Sequence, residues 1–550
     1  MQIRMTQFSP NSLPSLTTDN MLKDLLAKGY FFSEAPQCFN TKKYSKAIIR
    51  DLTILPKEFL PGASGKKKDR SQNIGAIGRH NLARVGNLRR TVGVPNPVTF
   101  FNLANIISDD WTLIQSIVSS NNLSTSTPIF DASYTRAIKT KNALRERPQI
   151  KLNSRALGRY ALTTDIQQFY PSIYTHSIPW AIHGKSIAKA KRSDMTLLGN
   201  KLDHWVQYGQ DSQTRGIPIG PDTSLVVAEI LLAAVDKRLE TELGPLIGHR
   251  AIDDYELVFP RYSDAERAMA VFQAVLDEFE LKPHEGKTKI IELPSPLEDL
   301  WPIELNRFEI RSTSRGQRAD LMTFFNLAFD LGLRNPTKSV LKYAITKTAG
   351  VKISEASWPI YQNLLLHSFL SEPGTAPLVL SELEGYSAIY TLDSDRIADA
   401  IRQTIEYHTV LRHGSEIAWS VWMAIRLGVK IPKSATAILH NTSDTLVPLL
   451  ALHARAENLL DGVLDVSHWE SLMTTEELWG PNWLLAYEAK IKNWLPSVGS
   501  ANHLDKDPCF KFMKDKKISF YDVAGSAIKA TSTNSTSLIS SSGFVPSGGY

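Results

Sequence analysis

The stretch Arg250-Ala251-Ile252-Asp253-Asp254-Tyr255-Glu256-Leu257-Val258-Phe259 sets two adjacent carboxylates between two runs of strand composition, His249–Ile252 and Tyr255–Phe259. That pattern predicts a β-hairpin with Asp253 and Asp254 at its turn. Two further stretches precede it. Thr164-Asp165-Ile166-Gln167-Gln168-Phe169-Tyr170-Pro171-Ser172-Ile173 begins where the apolar run Tyr160–Thr163 ends, so Asp165 projects from the end of a strand. Arg215-Gly216-Ile217-Pro218-Ile219-Gly220-Pro221-Asp222-Thr223-Ser224 opens a long apolar helix that runs to about residue 243. A carboxylate at one strand end and a pair on an adjacent hairpin can share two divalent ions. Mg²⁺ prefers oxygen ligands and keeps substrate phosphates in its shell. Two such ions activate an attacking hydroxyl and stabilise a leaving pyrophosphate. The glycines around Ile219 and Gly220 allow a base or nucleotide to approach the backbone.

Asp-Asp pairs arise by chance, and Asp109-Asp110 is a second one. It precedes Trp111-Thr112-Leu113-Ile114, where acids suit the N-terminus of a helix. The Asp253-Asp254 pair carries weight because strand sequence flanks it and the other two motifs precede it in order.

In that order the three elements resemble the palm motifs of reverse transcriptases. The resemblance implies that Asp165, Asp253 and Asp254 are the metal carboxylates, with the Ile166 backbone beside them. Ile166 and Gln167 would line the nucleotide triphosphate, and Tyr170 falls where the family places an aromatic gate against a ribose 2′-hydroxyl. The alternative for Tyr170 is a core aromatic. His284-Glu285-Gly286-Lys287-Thr288-Lys289-Ile290 resembles the next motif, whose lysine protonates the leaving pyrophosphate; Lys287 is the first choice and Lys289 the second. Leu305-Asn306-Arg307-Phe308 resembles the primer-grip hairpin. Arg89-Arg90-Thr91-Val92-Gly93-Val94-Pro95-Asn96-Pro97 resembles a fingers segment, with Arg84, Arg89 and Arg90 set to reach phosphates. Arg145, Arg147, Lys151 and Arg155 form a second basic cluster for nucleic acid.

Ile219 stands where retroviral and retron-like enzymes carry glutamine. The form Gly-Ile-Pro-Ile-Gly-Pro, the segment Gly29-Tyr30-Phe31-Phe32 and the pieces Glu416-Ile417-Ala418-Trp419 and Ser519-Phe520-Tyr521 are similar to the abortive-infection reverse transcriptases of bacteria, the AbiK and Abi-P2 types. This resemblance covers about residues 20–525. It implies an RNA-directed DNA polymerase of antiphage defence in the bacterial cytoplasm, using two Mg²⁺ ions with Mn²⁺ as a substitute. It implies dNTPs as substrates, an RNA template or non-coding RNA as partner, and a homo-oligomer (trimer or hexamer). Some relatives prime synthesis from a protein hydroxyl, leaving the DNA product covalently attached; Tyr44, Tyr521 and Tyr550 are the candidates. The fold it implies is an α+β right-hand fingers–palm core followed by an all-α C-terminal domain. Two other readings stand beside it: a retron or group II intron type enzyme, and a non-catalytic RNA-binding scaffold.

The chain has 550 residues. They divide into an arm and basic fingers region (1–155), a palm (156–315), a helical domain (316–528) and a Ser/Thr/Gly-rich tail (529–550). The net charge of +6 conceals an asymmetry. Residues 1–160 carry 24 Lys and Arg against 10 Asp and Glu, so the remainder is acidic. A basic lobe of this kind suits a polyanion. Two cysteines exclude a disulfide framework and a multi-cysteine zinc module, which argues against an appended zinc endonuclease. No apolar run of membrane-spanning length occurs, and the N-terminus lacks the apolar core of a signal peptide. The expected setting is cytoplasmic, without membrane.

Overall fold

The computed structural model describes residues 16–60, 74–85, 89–120 and 122–524. Tyr550 lies outside them. The architecture is mixed α/β, with small sheets among many helices. Strands β1 (Gly78–Ala83) and β2 (Arg89–Val94) form a hairpin, and β3 (Pro128–Phe130) pairs with β4 (Ile138–Thr140). Strands β5 (Tyr160–Asp165), β6 (Gly248–Ala251), β7 (Asp254–Phe259) and β8 (Lys289–Glu292) form an antiparallel sheet in the order β6-β7-β5-β8.

The two central strands of that sheet are apolar and buried along most of their length. In β5 the side chains of Ala161, Leu162, Thr164 and Asp165 are buried. In β7 the run Tyr255–Val258 is buried. Helix Tyr262–Glu278 covers β5 and β7 and packs on the long helix Asp222–Leu243, with the Phe272 ring 5.0 Å from that of Tyr255. The expected strand at 160, hairpin at 253 and helix from 222 are all present. Asp110 precedes helix Trp111–Val118 without capping it and instead accepts a hydrogen bond from Lys201.

From Ser314 onward the described residues contain helices and short connections, as the sequence predicts. Trp358, Trp419, Trp422, Trp469 and Trp483 are buried there as core. This helical region does not stand apart from the N-terminal segment. The Asn96 side chain caps helix Pro97–Asp109 by accepting from Val98 N–H and donates to the Leu478 carbonyl. At the far end of the chain, Asn40 N–H donates to Phe520 O and Asp522 N–H to Cys38 O. Phe520 is wedged among Tyr30, Tyr44, Trp483 and Tyr487.

Two motifs far apart in sequence meet at the start of the long helix. Asp222 N–H donates to the Gly29 carbonyl, and the Asp222 carboxylate accepts from Ala137 and Ile138 N–H and from Arg136. Gly220 has φ +126°, and a Cβ there would sit 2.9 Å from that of Phe32. A glycine is therefore required by packing as well as by backbone conformation. No helix among the described residues is long and apolar enough to cross a membrane.

Candidate active site

The register of the central sheet places Asp165 directly opposite Asp254. Two like charges facing each other across an antiparallel pair are unfavourable by themselves. Asp253 occupies the turn between β6 and β7, and its carbonyl accepts from Ile166 N–H at 3.2 Å. Three carboxylates thus converge at one end of two neighbouring strands. Lys287 Nζ donates to Asp165 Oδ2 at 2.8 Å. The Lys287 loop is held in place by His284 N–H donating to Asp165 O at 2.7 Å and by a Thr164–Thr288 hydroxyl contact of 2.7 Å.

The electrostatics record the crowding. Loss of hydration and then the Asp165 charge push Asp253 up to about 7 and Asp254 up to about 6. Asp254 keeps an open face to solvent, whereas Asp165 is buried. Arg84, just beyond β1, feels the charges of Asp165 and Asp253. Desolvation and its neighbour Arg90 hold its guanidinium below the ordinary value. Arg147 adds positive potential at Asp254.

These shifts set a pH dependence for the chelated, metal-free chain. Unfolded aspartate titrates near ~3.9, so between about pH 4 and 7 the folded chain holds more protons than the unfolded one. The contribution of these two groups to stability is therefore most favourable below the unfolded value and is lost as pH rises through the folded values. The melting temperature is expected to be lower at pH 7.5 than at pH 5.5, with a smaller fall in Asp253→Asn. Equal falls in the two chains would contradict this origin.

The turn that carries Asp253 is strained and braced. Ile252 has φ +54°, an unusual conformation for a β-branched residue. Its N–H donates to Ser126 Oγ at 3.1 Å, and its carbonyl accepts from Arg250 Nη1 at 3.0 Å. Arg250 is wholly buried and paired with Glu229 at 2.9 Å and Asp236 at 2.8 Å, both also wholly buried. Tyr255 and Ser124 hydroxyls donate to Asp236 and Glu229. This network was missed in the sequence. Its trace there is the seven-residue spacing of Glu229 and Asp236, two turns apart on one helix face.

No protein-family model matches the chain, and no curated protein does. Among solved structures, telomerase from Candida albicans in complex with a TWJ fragment of telomeric RNA aligns with a TM-score of 0.27 and 10% identity. The alignment covers 64% of this chain and 64% of the telomerase chain. A likeness of that size leaves the site to be read from its own residues.

Several expected site residues have other partners. Alternation along β2 turns Arg89 and Arg90 to opposite sides. Arg89 grips Glu416 through Nη1 at 2.5 Å and Nη2 at 2.6 Å. Arg155 is buried and bidentate on Glu256, at 2.7 and 2.9 Å, and Lys151 is 3.5 Å from the same carboxylate. Both anchor helix Arg147–Arg155 to β7, and only Arg145 of that cluster is fully exposed. The N–H groups of Ile166 and Gln167 are spent on Asp253 O and Lys282 O, so neither is directed at a phosphate here. The Ile219 carbonyl accepts from Gly93 N–H, and Gly220 packs closely against Phe32. Tyr170 is half-buried beside Phe169, 5.6 Å between rings. Leu305 and Asn306 end a helix, Trp301–Asn306, where a hairpin was expected. Tyr44 and Tyr521 are fully buried; their hydroxyls meet Pro97 O at 2.7 Å and His453 Nδ1 at 2.8 Å. Neither is placed to present a priming hydroxyl in this conformation. Lys289 is exposed on β8.

Proposed function

We propose that this chain is a divalent-metal-dependent nucleotidyltransferase of the reverse-transcriptase kind, building DNA from dNTPs. The observation that carries the reading is the facing of Asp165 and Asp254 across β5 and β7 with Asp253 in the adjoining turn. Oxygen donors alone, crowded enough to hold protons near neutrality, suit Mg²⁺ or Mn²⁺. Asp165, Asp253 and Asp254 would hold the ions, which would supply the activated hydroxyl and the clamp on the leaving pyrophosphate. Lys287 now neutralises Asp165. With ions held by the three carboxylates, the Lys287 ammonium would be free to serve the leaving pyrophosphate as a proton donor. Arg84, close enough to feel the charges of Asp165 and Asp253, adds positive charge.

A role in antiphage defence rests on the motif resemblance to the abortive-infection enzymes and belongs to the same proposal. The test is incubation of the purified full chain with labelled dNTPs, with Mg²⁺ or with chelator. Labelled nucleic acid or labelled protein is expected only with the metal, and none from the Asp253→Ala/Asp254→Ala chain. A wild-type chain that binds RNA yet yields no labelled product with Mg²⁺ or Mn²⁺ is a scaffold, and the proposal fails.

A further inference from the structure

A second set of metal donors lies on the helical region, where the β1–β2 hairpin rests. Helix Ser394–Val410 contributes His408, and helix Gly414–Leu427 contributes Glu416, with His413 in the connection between them. His408 Nδ1 and His413 Nδ1 are 2.9 Å apart. Their distances to Glu416 Oε1 are 3.6 and 3.7 Å. For a tetrahedral ion with bonds of about 2.0–2.1 Å, adjacent donors stand about 3.3–3.4 Å apart. The triangle formed by these three atoms has nearly the size of one face of that tetrahedron. We propose that His408, His413 and Glu416 bind a Zn²⁺ ion, with solvent as the fourth ligand, at the joint between the β1–β2 hairpin and the helical region.

The chemistry of the donors separates this site from the aspartate site. Two imidazoles and one carboxylate suit a borderline ion of tetrahedral preference, whereas Mg²⁺ seeks oxygen in octahedral geometry. Arg89 is bidentate on Glu416, with Nη1 2.5 Å from Oε1, the oxygen offered to the ion, and Nη2 2.6 Å from Oε2, the kind of outer hydrogen bond that orients a ligating carboxylate. Arg89 also donates to Asn81 Oδ1 at 2.8 Å, and Asn81 Nδ2 donates to Arg412 O at 3.0 Å. An ion here would therefore fix the turn end of the hairpin, where Arg84 follows Ala83, the register partner of Arg89.

The test uses the full chain, stripped with chelator and reloaded with Zn²⁺ by dialysis. Elemental analysis should give one more zinc per chain in the wild type than in His408→Gln or His413→Gln. Zn²⁺ should raise the melting temperature of the wild type and leave that of His413→Gln unchanged. Co²⁺ in place of zinc should give the intense visible bands of a four-coordinate ion in the wild type and not in the variants. A wild type that retains no more zinc than His413→Gln, or a Zn²⁺-induced rise equal in both chains, overturns the site. So does a Co²⁺ spectrum without four-coordinate bands. None of these readouts depends on nucleotide incorporation.

Discussion

Asp165→Asn lowers nucleotide incorporation by on the order of a thousandfold or more, the scale on which removing a transition-state charge stabiliser acts. The exchange is nearly isosteric. It leaves the Asp165 backbone, whose carbonyl accepts from His284 N–H, and the pairing with β7 and β8 unaltered. What it removes is charge at the point where the electrostatics of the site meet. Asp165 is the leading charged contributor to the raised proton affinity of both Asp253 and Asp254, and it is the partner of Lys287. The folded state should not suffer, because neutral asparagine relieves the like-charge pair across the sheet. Activity loss with an unchanged or raised melting temperature in metal-free buffer is the expected signature. Loss of activity together with a large fall in melting temperature would indicate a structural role instead.

The second large effect falls on stability. Arg250→Met strands Glu229 and Asp236, two wholly buried carboxylates, without their cation. Breaking a buried pair by removing one partner costs roughly 3–5 kcal/mol. Calorimetry or chemical denaturation of the purified variant should show a loss of this size. Neutralising the stranded groups as well, in Arg250→Met/Glu229→Gln/Asp236→Asn, should recover most of it, since an uncharged core of similar shape is not penalised. Incorporation should stay impaired in the triple variant, because the Arg250 bond to Ile252 O that braces the turn is still missing. Full recovery of both stability and activity would show that the turn needs no brace.

Much of the central sheet was legible because strand patterning and turn position are local properties. Tyr160–Asp165 and Asp254–Phe259 alternate or bury as their sequence dictates, and register then brings Asp165 to Asp254. The arginines were less legible because their roles depend on partners 101 and 327 residues away. Arg89 meets Glu416, and only strand alternation hinted that it and Arg90 could not share a task. Arg155 reads as a nucleic-acid contact from charge alone, yet β7 presents Glu256 to it. Gly220 reads as room for a close approach, and Phe32 from another motif is one neighbour that makes it. The C-terminal Phe520-Tyr521 segment gave no sign that it returns to Phe39 and Asn40 and buries its hydroxyl.

The most direct measurement is anomalous diffraction from crystals of the full chain soaked with Mn²⁺ and a dNTP. Two manganese peaks bridging Asp165, Asp253 and Asp254, with Lys287 turned from Asp165 toward the triphosphate, are predicted. Manganese absent from these carboxylates while the dNTP is bound elsewhere, with the Lys287–Asp165 pair intact, would contradict the account.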